Sequence, residues 1–169
     1  MREKKLMKDT LSIKTSYVLP PDTNHHGTLF GGKLMAYIDD IASIAATKLA
    51  RKPVVTASTD SVDFLKPIRV GDAVTLEAMV SYTGTTSMEV FVKVLSENLM
   101  TGEQEVAAIS FLTFVALNES GKPIAIPEVV PEAEDEKWLN ETAVNRAGHR
   151  KARKQYSKEL AEFFSSPGK

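Results

Sequence analysis

Residues 32–50, GKLMAYIDDIASIAATKLA, contain no proline and carry apolar residues at helical spacing more regularly than any other stretch. With residues placed 100° apart, Leu34, Met35, Ile38, Ala42, Ala45, Ala46 and Leu49 share one arc, and Lys33, Tyr37, Asp40 and Thr47 lie opposite. The stretch therefore reads as one long amphipathic helix that must bury its apolar arc. Its two adjacent aspartates are not equivalent. Asp40 sits on the polar side, whereas Asp39 lies at the edge of the arc beside Met35, Ala42 and Ala46.

Working outward, residues 20–32 (PPDTNHHGTLFGG) pack two prolines, an asparagine and three glycines ahead of the helix and read as a shaped loop. Before it, residues 10–19 alternate loosely, as a half-buried strand does. After a turn at 51–53 come four extended runs, at 54–65, 73–82, 86–97 and 105–117, separated by KPIRVGD, TGT and NLMTGE and closed by NESGKP. Connections this short imply antiparallel neighbours. The fold class expected is α+β, an antiparallel sheet of about five strands wrapped around one long central helix. The expected organisation is a polar segment at 1–9, a domain at 10–127 and a charged, helical tail at 128–169. In that tail an acidic block (Glu132, Glu134, Asp135, Glu136) precedes a basic one (Arg146 to Lys158), with too few apolar residues for a core of its own.

Composition narrows the function classes. The 169 residues are 43% apolar and 25% charged, which suits one globular domain around a single core. A net charge of −1 creates no global field for nucleic acid or anionic membrane, so neither is expected as a partner. With no cysteine there is no disulfide, thiol nucleophile or thiolate zinc site. The charged opening MREKKLMK leads into no apolar run, so neither a signal peptide nor a membrane span is expected, and the expected location is cytoplasmic. There is no GxSxG, GxxxxGK[ST], HExxH or EF-hand pattern. The adjacent His25 and His26 converge poorly on one ion, so no metal site is expected.

The loop–helix junction can carry chemistry. Gly31 and Gly32 precede a long helix whose first backbone N–H groups lack internal partners, an arrangement that stabilises an anion or a developing oxyanion. A turn followed by a helix start accounts for the same glycines. Asp39, on the apolar edge, suits a general base or nucleophile and equally a structural hydrogen bonder. Asn24 is either an Asx turn, which its spacing favours, or an amide that orients water and substrate.

The string Asn24-x-x-Gly27-x-x-Phe30-Gly31-Gly32-Lys33-Leu34-Met35-Ala36-Tyr37-Ile38-Asp39 is followed by Val54-Val55-Thr56 and by Val62-Asp63-Phe64-Leu65-Lys66-Pro67-Ile68-x-Val70-Gly71-Asp72. This joint motif resembles the hotdog-fold acyl-CoA thioesterases, and within them the cytosolic acyl-CoA hydrolase subfamily, over residues 12–127. The resemblance implies hydrolysis of acyl-CoA to free CoA and a carboxylic acid at a site between two protomers. It puts the catalytic aspartate at Asp39, an asparagine from the opposite subunit at Asn24, and carbonyl-facing amides at Gly31 and Gly32. Asp40 receives no role.

For the CoA moiety the resemblance points to Asp60, Ser61, Lys66 and Arg69, to the turn Gly84-Thr85-Thr86-Ser87, and to basic residues of the tail, Arg150 and Lys151 with Arg153 and Lys154. It also implies hotdog dimers assembled as a trimer of dimers. CoA is part of substrate and product, so no cofactor is expected. Because a departing thiolate needs little acid assistance, with thiol pKa values of about 8–9, a base plus oxyanion donors suffices. Two other classes fit the same fold, a hydratase or dehydratase using a catalytic histidine and a non-catalytic acyl-CoA sensor.

Overall fold

A computed structural model describes residues 1–165. In chain order it contains β1 (Lys4–Leu6), a 3-10 turn, β2 (Ser12–Tyr17), a second 3-10 turn at Pro20–Asp22, α1 (Gly31–Ala50), β3 (Val54–Phe64), β4 (Ala73–Thr83), β5 (Ser87–Glu97), β6 (Gln104–Ala116), β7 (Glu128–Val130) and α2 (Glu134–Ser165). The five long strands form one antiparallel sheet in the order β2-β4-β5-β6-β3. Alternation places Leu76, Ala78 and Val80 of β4, Val90 and Val92 of β5 and Phe114 of β6 on the inner face, where they enclose α1. This is the hotdog arrangement expected from the sequence.

The helical arc needs one correction. Ile41 is buried and Met35 is 46% exposed, so the buried stripe runs through Leu34, Ile38, Ile41, Ala42, Ala45, Ala46 and Leu49. The sheet covers α1 along this i, i+4, i+7, i+8 line and leaves the side bearing Met35 open. Asp39 remains partly buried and Asp40 exposed. At its end α1 turns through Arg51, whose φ of 51° lets its N–H reach the Thr47 carbonyl at 2.8 Å.

Residues 1–9, polar in composition, do more than precede the domain. Lys4–Leu6 pairs in parallel with Glu128–Val130, and Met7 is wholly buried. The first half of α2 lies on the outer face of the sheet. Leu139 and Ala143 are buried there, Asn140 donates to the Ser81 carbonyl at 2.9 Å, and Arg146 lies over the Phe111 ring. From Lys151 to Ser165 the helix is exposed throughout. Both faces of the sheet are thus covered in part, α1 inside and α2 outside, while β2 and β3 form its edges.

Candidate active site

Strand β3 is an edge strand with two irregularities. Its pairing with β6 skips between Thr56 and Ser58 and again between Thr59 and Ser61, leaving Ala57 and Asp60 as extra residues. Such bulges bend an edge and re-aim its side chains. Thr56 stands opposite Phe114, whose side chain is on the inner face, and there its hydroxyl donates to Oδ1 of Asp39 at 2.8 Å. The carboxylate of Asp39 is therefore held between the middle of α1 and the sheet edge, with its second oxygen outside that bond. Asp40 points away and pairs with Lys14 at 3.1 Å.

The helix start is built as the loop composition requires. Phe30 is extended, no side chain caps α1, and the first helical bonds run from the N–H groups of Lys33 and Leu34 to the Phe30 carbonyl at 3.0 and 3.1 Å. The amides of Gly31 and Gly32 lie ahead of those bonds, at the positive end of a 20-residue helix. A β-carbon on Gly32 would lie 2.6 Å from Cε1 of Phe30, so glycine is needed there unless the ring moves. Lys33 in the same turn approaches Asp22 at 3.3 Å, and the hydrogen bond and charge of that carboxylate raise the lysine above its ordinary pKa.

Asn24 makes the turn that its spacing favours. Its Oδ1 accepts from the His26 amide at 2.9 Å, its backbone N–H donates to the Thr28 carbonyl at 2.9 Å, and Gly27 takes φ 74°. This turn is stitched to the segment after β3 by Leu29 N–H to the Ile68 carbonyl at 2.7 Å. Between them lies a pocket of about 340 Å³ lined by Asn24, Thr28, Gly31, Leu34, Phe64 and Lys66, among others. Asn24, Gly31 and Lys66 are thus brought together. Asp39 is not part of this pocket, since eight residues separate it from Gly31, about 12 Å along the axis.

The remaining candidates are dispersed. Arg69 lines a separate groove with Asp72 and Ser96. Gly84-Thr85-Thr86-Ser87 forms the β4–β5 turn, where Gly84 N–H donates to the Ser87 carbonyl at 2.8 Å and the Arg2 guanidinium binds the Gly84 carbonyl. Ser87, Arg150 and Lys151 line a cleft between α2 and the outer face. Ser61 contributes its carbonyl to Ser110, and Asp60 is engaged by Arg150, Arg153, Ser58 and Thr113. The rings of His25 and His26 lie against each other, tilted by 42°, with centroids 3.9 Å apart. Among the described residues no group of three or more His, Asp or Glu could hold a metal, and no helix is long and apolar enough to cross a membrane.

Thr56 was visible in the motif but carried no role by sequence reasoning, because periodicity cannot say which strand meets which helix. Glu89 and Arg146 join β5 to α2 through a 2.8 Å ion pair; in the sequence Arg146 is only the first member of the basic block and Glu89 carries no signal.

The thioesterase superfamily pattern matches residues 26–103. An acyl-CoA thioester hydrolase of Bacillus subtilis, described as uncharacterized, is 61% identical over 164 residues, which cover 97% of this chain and 95% of that one. A solved acyl-CoA hydrolase from Staphylococcus aureus, in complex with butyryl-CoA, CoA and CoA disulfide, superposes with a TM-score of 0.93 at 51% identity, covering 96% of this chain and 99% of that one. Alanine variants of that hydrolase have been solved at an asparagine, an aspartate and a threonine spaced by 15 and 17 positions, the spacing of Asn24, Asp39 and Thr56 here. A hexameric acyl-CoA thioesterase superposes with a TM-score of 0.88 at 54% identity, covering 89% of this chain and 97% of that one.

Proposed function

This chain belongs to the thioesterase superfamily, and from that premise we propose that it hydrolyses acyl-CoA to free CoA and a carboxylic acid. The observation that carries the reading is Asp39, partly buried on α1 and oriented by Thr56, in the spacing found in the Staphylococcus aureus hydrolase. In the proposed reaction Asp39 takes a proton from a water as its oxygen attacks the thioester carbonyl carbon. The amides of Gly31 and Gly32 stabilise the resulting oxyanion at the positive helix end. Collapse of the tetrahedral species breaks the carbon–sulfur bond and releases the CoA thiolate, which takes up the proton.

Donors and base must both lie about 3 Å from the reacting group, yet Gly31 and Asp39 of one chain are about 12 Å apart along α1. This separation supports a site that combines the loop of one protomer, with Asn24, Gly31 and Gly32, and Asp39 of another. Edge strand β3, with Val55 and Phe64 half-exposed and Leu65 half-exposed just after it, supplies a surface on which two sheets join, and a trimer of such dimers is the proposed assembly. For the CoA moiety Lys66 and Arg69 are proposed near the loop, and the Gly84–Ser87 turn with Arg150 and Lys151 at the cleft. Ser61, half-buried on β3 with its carbonyl bonded to the Ser110 hydroxyl, is proposed to contact the CoA moiety through its own hydroxyl.

A thiol-release assay across acyl chain lengths, with Asp39→Asn as control, tests this reading. Release of thiol that depends on Asp39 is expected. Tight CoA binding without turnover of any acyl chain would turn the reading to a sensor.

A further inference from the structure

In a regular strand Thr56 and Ser58, two residues apart, would face the same side of the sheet. On β3 they face opposite sides, because Ala57 is an extra residue between them. Thr56 turns inward, where its hydroxyl donates to Oδ1 of Asp39 at 2.8 Å, and Ser58 turns outward, into the wall of the cleft beneath α2. The aim of Thr56 therefore depends on the bulge keeping its place. A one-residue slip would send the threonine outward, and an edge strand, bonded on one side only, resists such a slip less than an interior strand does.

The second bulge supplies the missing restraint. Its extra residue, Asp60, has a side chain only 10% exposed that accepts from four donors on three elements. On the strand itself the Ser58 hydroxyl reaches Oδ1 at 2.5 Å, and on β6 the Thr113 hydroxyl reaches Oδ2 at 2.6 Å. From α2, Arg150 reaches Oδ2 at 3.4 Å and Arg153 reaches Oδ1 at 2.5 Å, while Arg153 also donates to the Asp60 carbonyl at 2.9 Å. Thr113 is the residue paired with Ser58 across the ladder. One carboxylate thus ties the strand, its neighbour and the helix together in the register that the first bulge requires.

We infer that Asp60 is a positioning residue for the hydrolytic base: by anchoring Ser58 on the outer face against β6 and α2, it holds the bulge at Ala57 and keeps Thr56 aimed at Asp39 from the inner face. The inference rests on the reading of Asp39 as that base. It gives α2 a consequence for catalysis, since Arg150 and Arg153 fix the strand that orients a carboxylate on the opposite side of the sheet. With its oxygens taken by four donors, Asp60 acts without meeting the substrate.

The test is a double-variant cycle on kcat in the full-length oligomer, with an acyl-pantetheine as substrate. That substrate lacks the nucleotide, so contacts to the nucleotide do not enter the comparison. Asp60→Asn keeps the size of the side chain but loses the charge that holds the two arginines. It is expected to lower kcat about fivefold, the scale of one hydrogen bond, with KM little changed. In the Thr56→Val background it is expected to lower kcat no further, because the bond through which it acts is already gone. Arg153→Gln, at a half-exposed position that the fold tolerates, gives the same pattern on a smaller scale. A merely structural role lowers kcat by the same factor in both backgrounds, and that result, or an unchanged kcat in both variants, overturns the proposal.

Hydrogen exchange separates this outcome from failure of the hydrolase reading. Exchange of the segment 54–60 needs no substrate, and it is expected to quicken in Asp60→Asn while interior strand β5 keeps its wild-type rates. Unchanged exchange at 54–60 overturns the anchoring. Full activity of Asp39→Asn would instead overturn the reading of Asp39 on which the inference rests.

Discussion

The Thr56 hydroxyl donates a 2.8 Å hydrogen bond to Oδ1 of Asp39, tying the middle of the central helix to the edge strand at the residue where that strand first bulges. The bond occupies one carboxylate oxygen and one of its lone-pair directions. It fixes the rotation of the carboxylate, so that the free oxygen faces a defined direction. A base held in this way needs no reorientation when a water is presented to it.

Replacement of the carboxylate by an amide tests its role. In Asp39→Asn, turnover falls by roughly 10²–10⁴, the usual worth of a positioned acid or base. Asp40→Asn removes only an exposed pair with Lys14 and leaves turnover within about twofold. Steady-state thiol release from one acyl-CoA decides between them, and the reverse ranking rules out the assignment.

Loss of the orienting hydroxyl has a smaller effect. Thr56→Val keeps the shape and β-branching of the side chain but removes a hydrogen bond worth about 0.5–1.5 kcal/mol, so kcat drops about 2- to 12-fold. Thr56→Ser restores most of the rate. Equal rates for the valine and serine variants would mean that the hydroxyl does not orient Asp39.

Complementation tests whether the site is shared. Asn24→Ala and Asp39→Asn homo-oligomers each contain singly damaged sites. A mixed dimer contains one doubly damaged and one intact site, so mixing the two inactive proteins under conditions of subunit exchange restores up to about half of wild-type activity per mixed dimer. Exchange demonstrated by mass spectrometry without recovery of activity places both residues in a site built by one chain.

The buried pair that seats α2 predicts a stability pattern. Arg146→Met leaves Glu89 without its main partner and costs about 3–5 kcal/mol, a drop in melting temperature of roughly 6–20 °C for a chain of this size. Glu89→Met combined with Arg146→Met removes both charges from a site already lined by the Phe111 ring and regains part of that loss. Additive losses in thermal unfolding would show that the two side chains are not energetically coupled.

Much of this molecule was legible from local pattern. The helix at 31–50 announces itself through apolar spacing, and the strands through alternation bounded by Gly, Pro and Asn turns, because both signals arise from the repeat of the backbone. The Asn24 turn was legible for the same reason, since an Asx turn closes within four residues. The separation of Asp39 from Asp40 followed from a 100° rotation about the helix axis. The role of Met35 did not, because the width of a buried stripe depends on how far the sheet curves around it.

What only the tertiary structure decided is every contact between residues distant along the chain. Thr56 meets Asp39 because the sheet order brings the first strand after α1 to an edge, and a bulge sets the phase of its side chains. The family resemblance points Asp60 at the CoA moiety, whereas only the fold shows that its carboxylate meets Arg150 and Arg153 of a helix 90 residues later. Glu89 reads as an ordinary polar residue of an alternating strand until α2 covers the outer face and buries it against Arg146. Local periodicity determines which elements form and which side each residue faces. The partner across the gap depends on packing between elements, and burying a charge is tolerable only when that partner arrives.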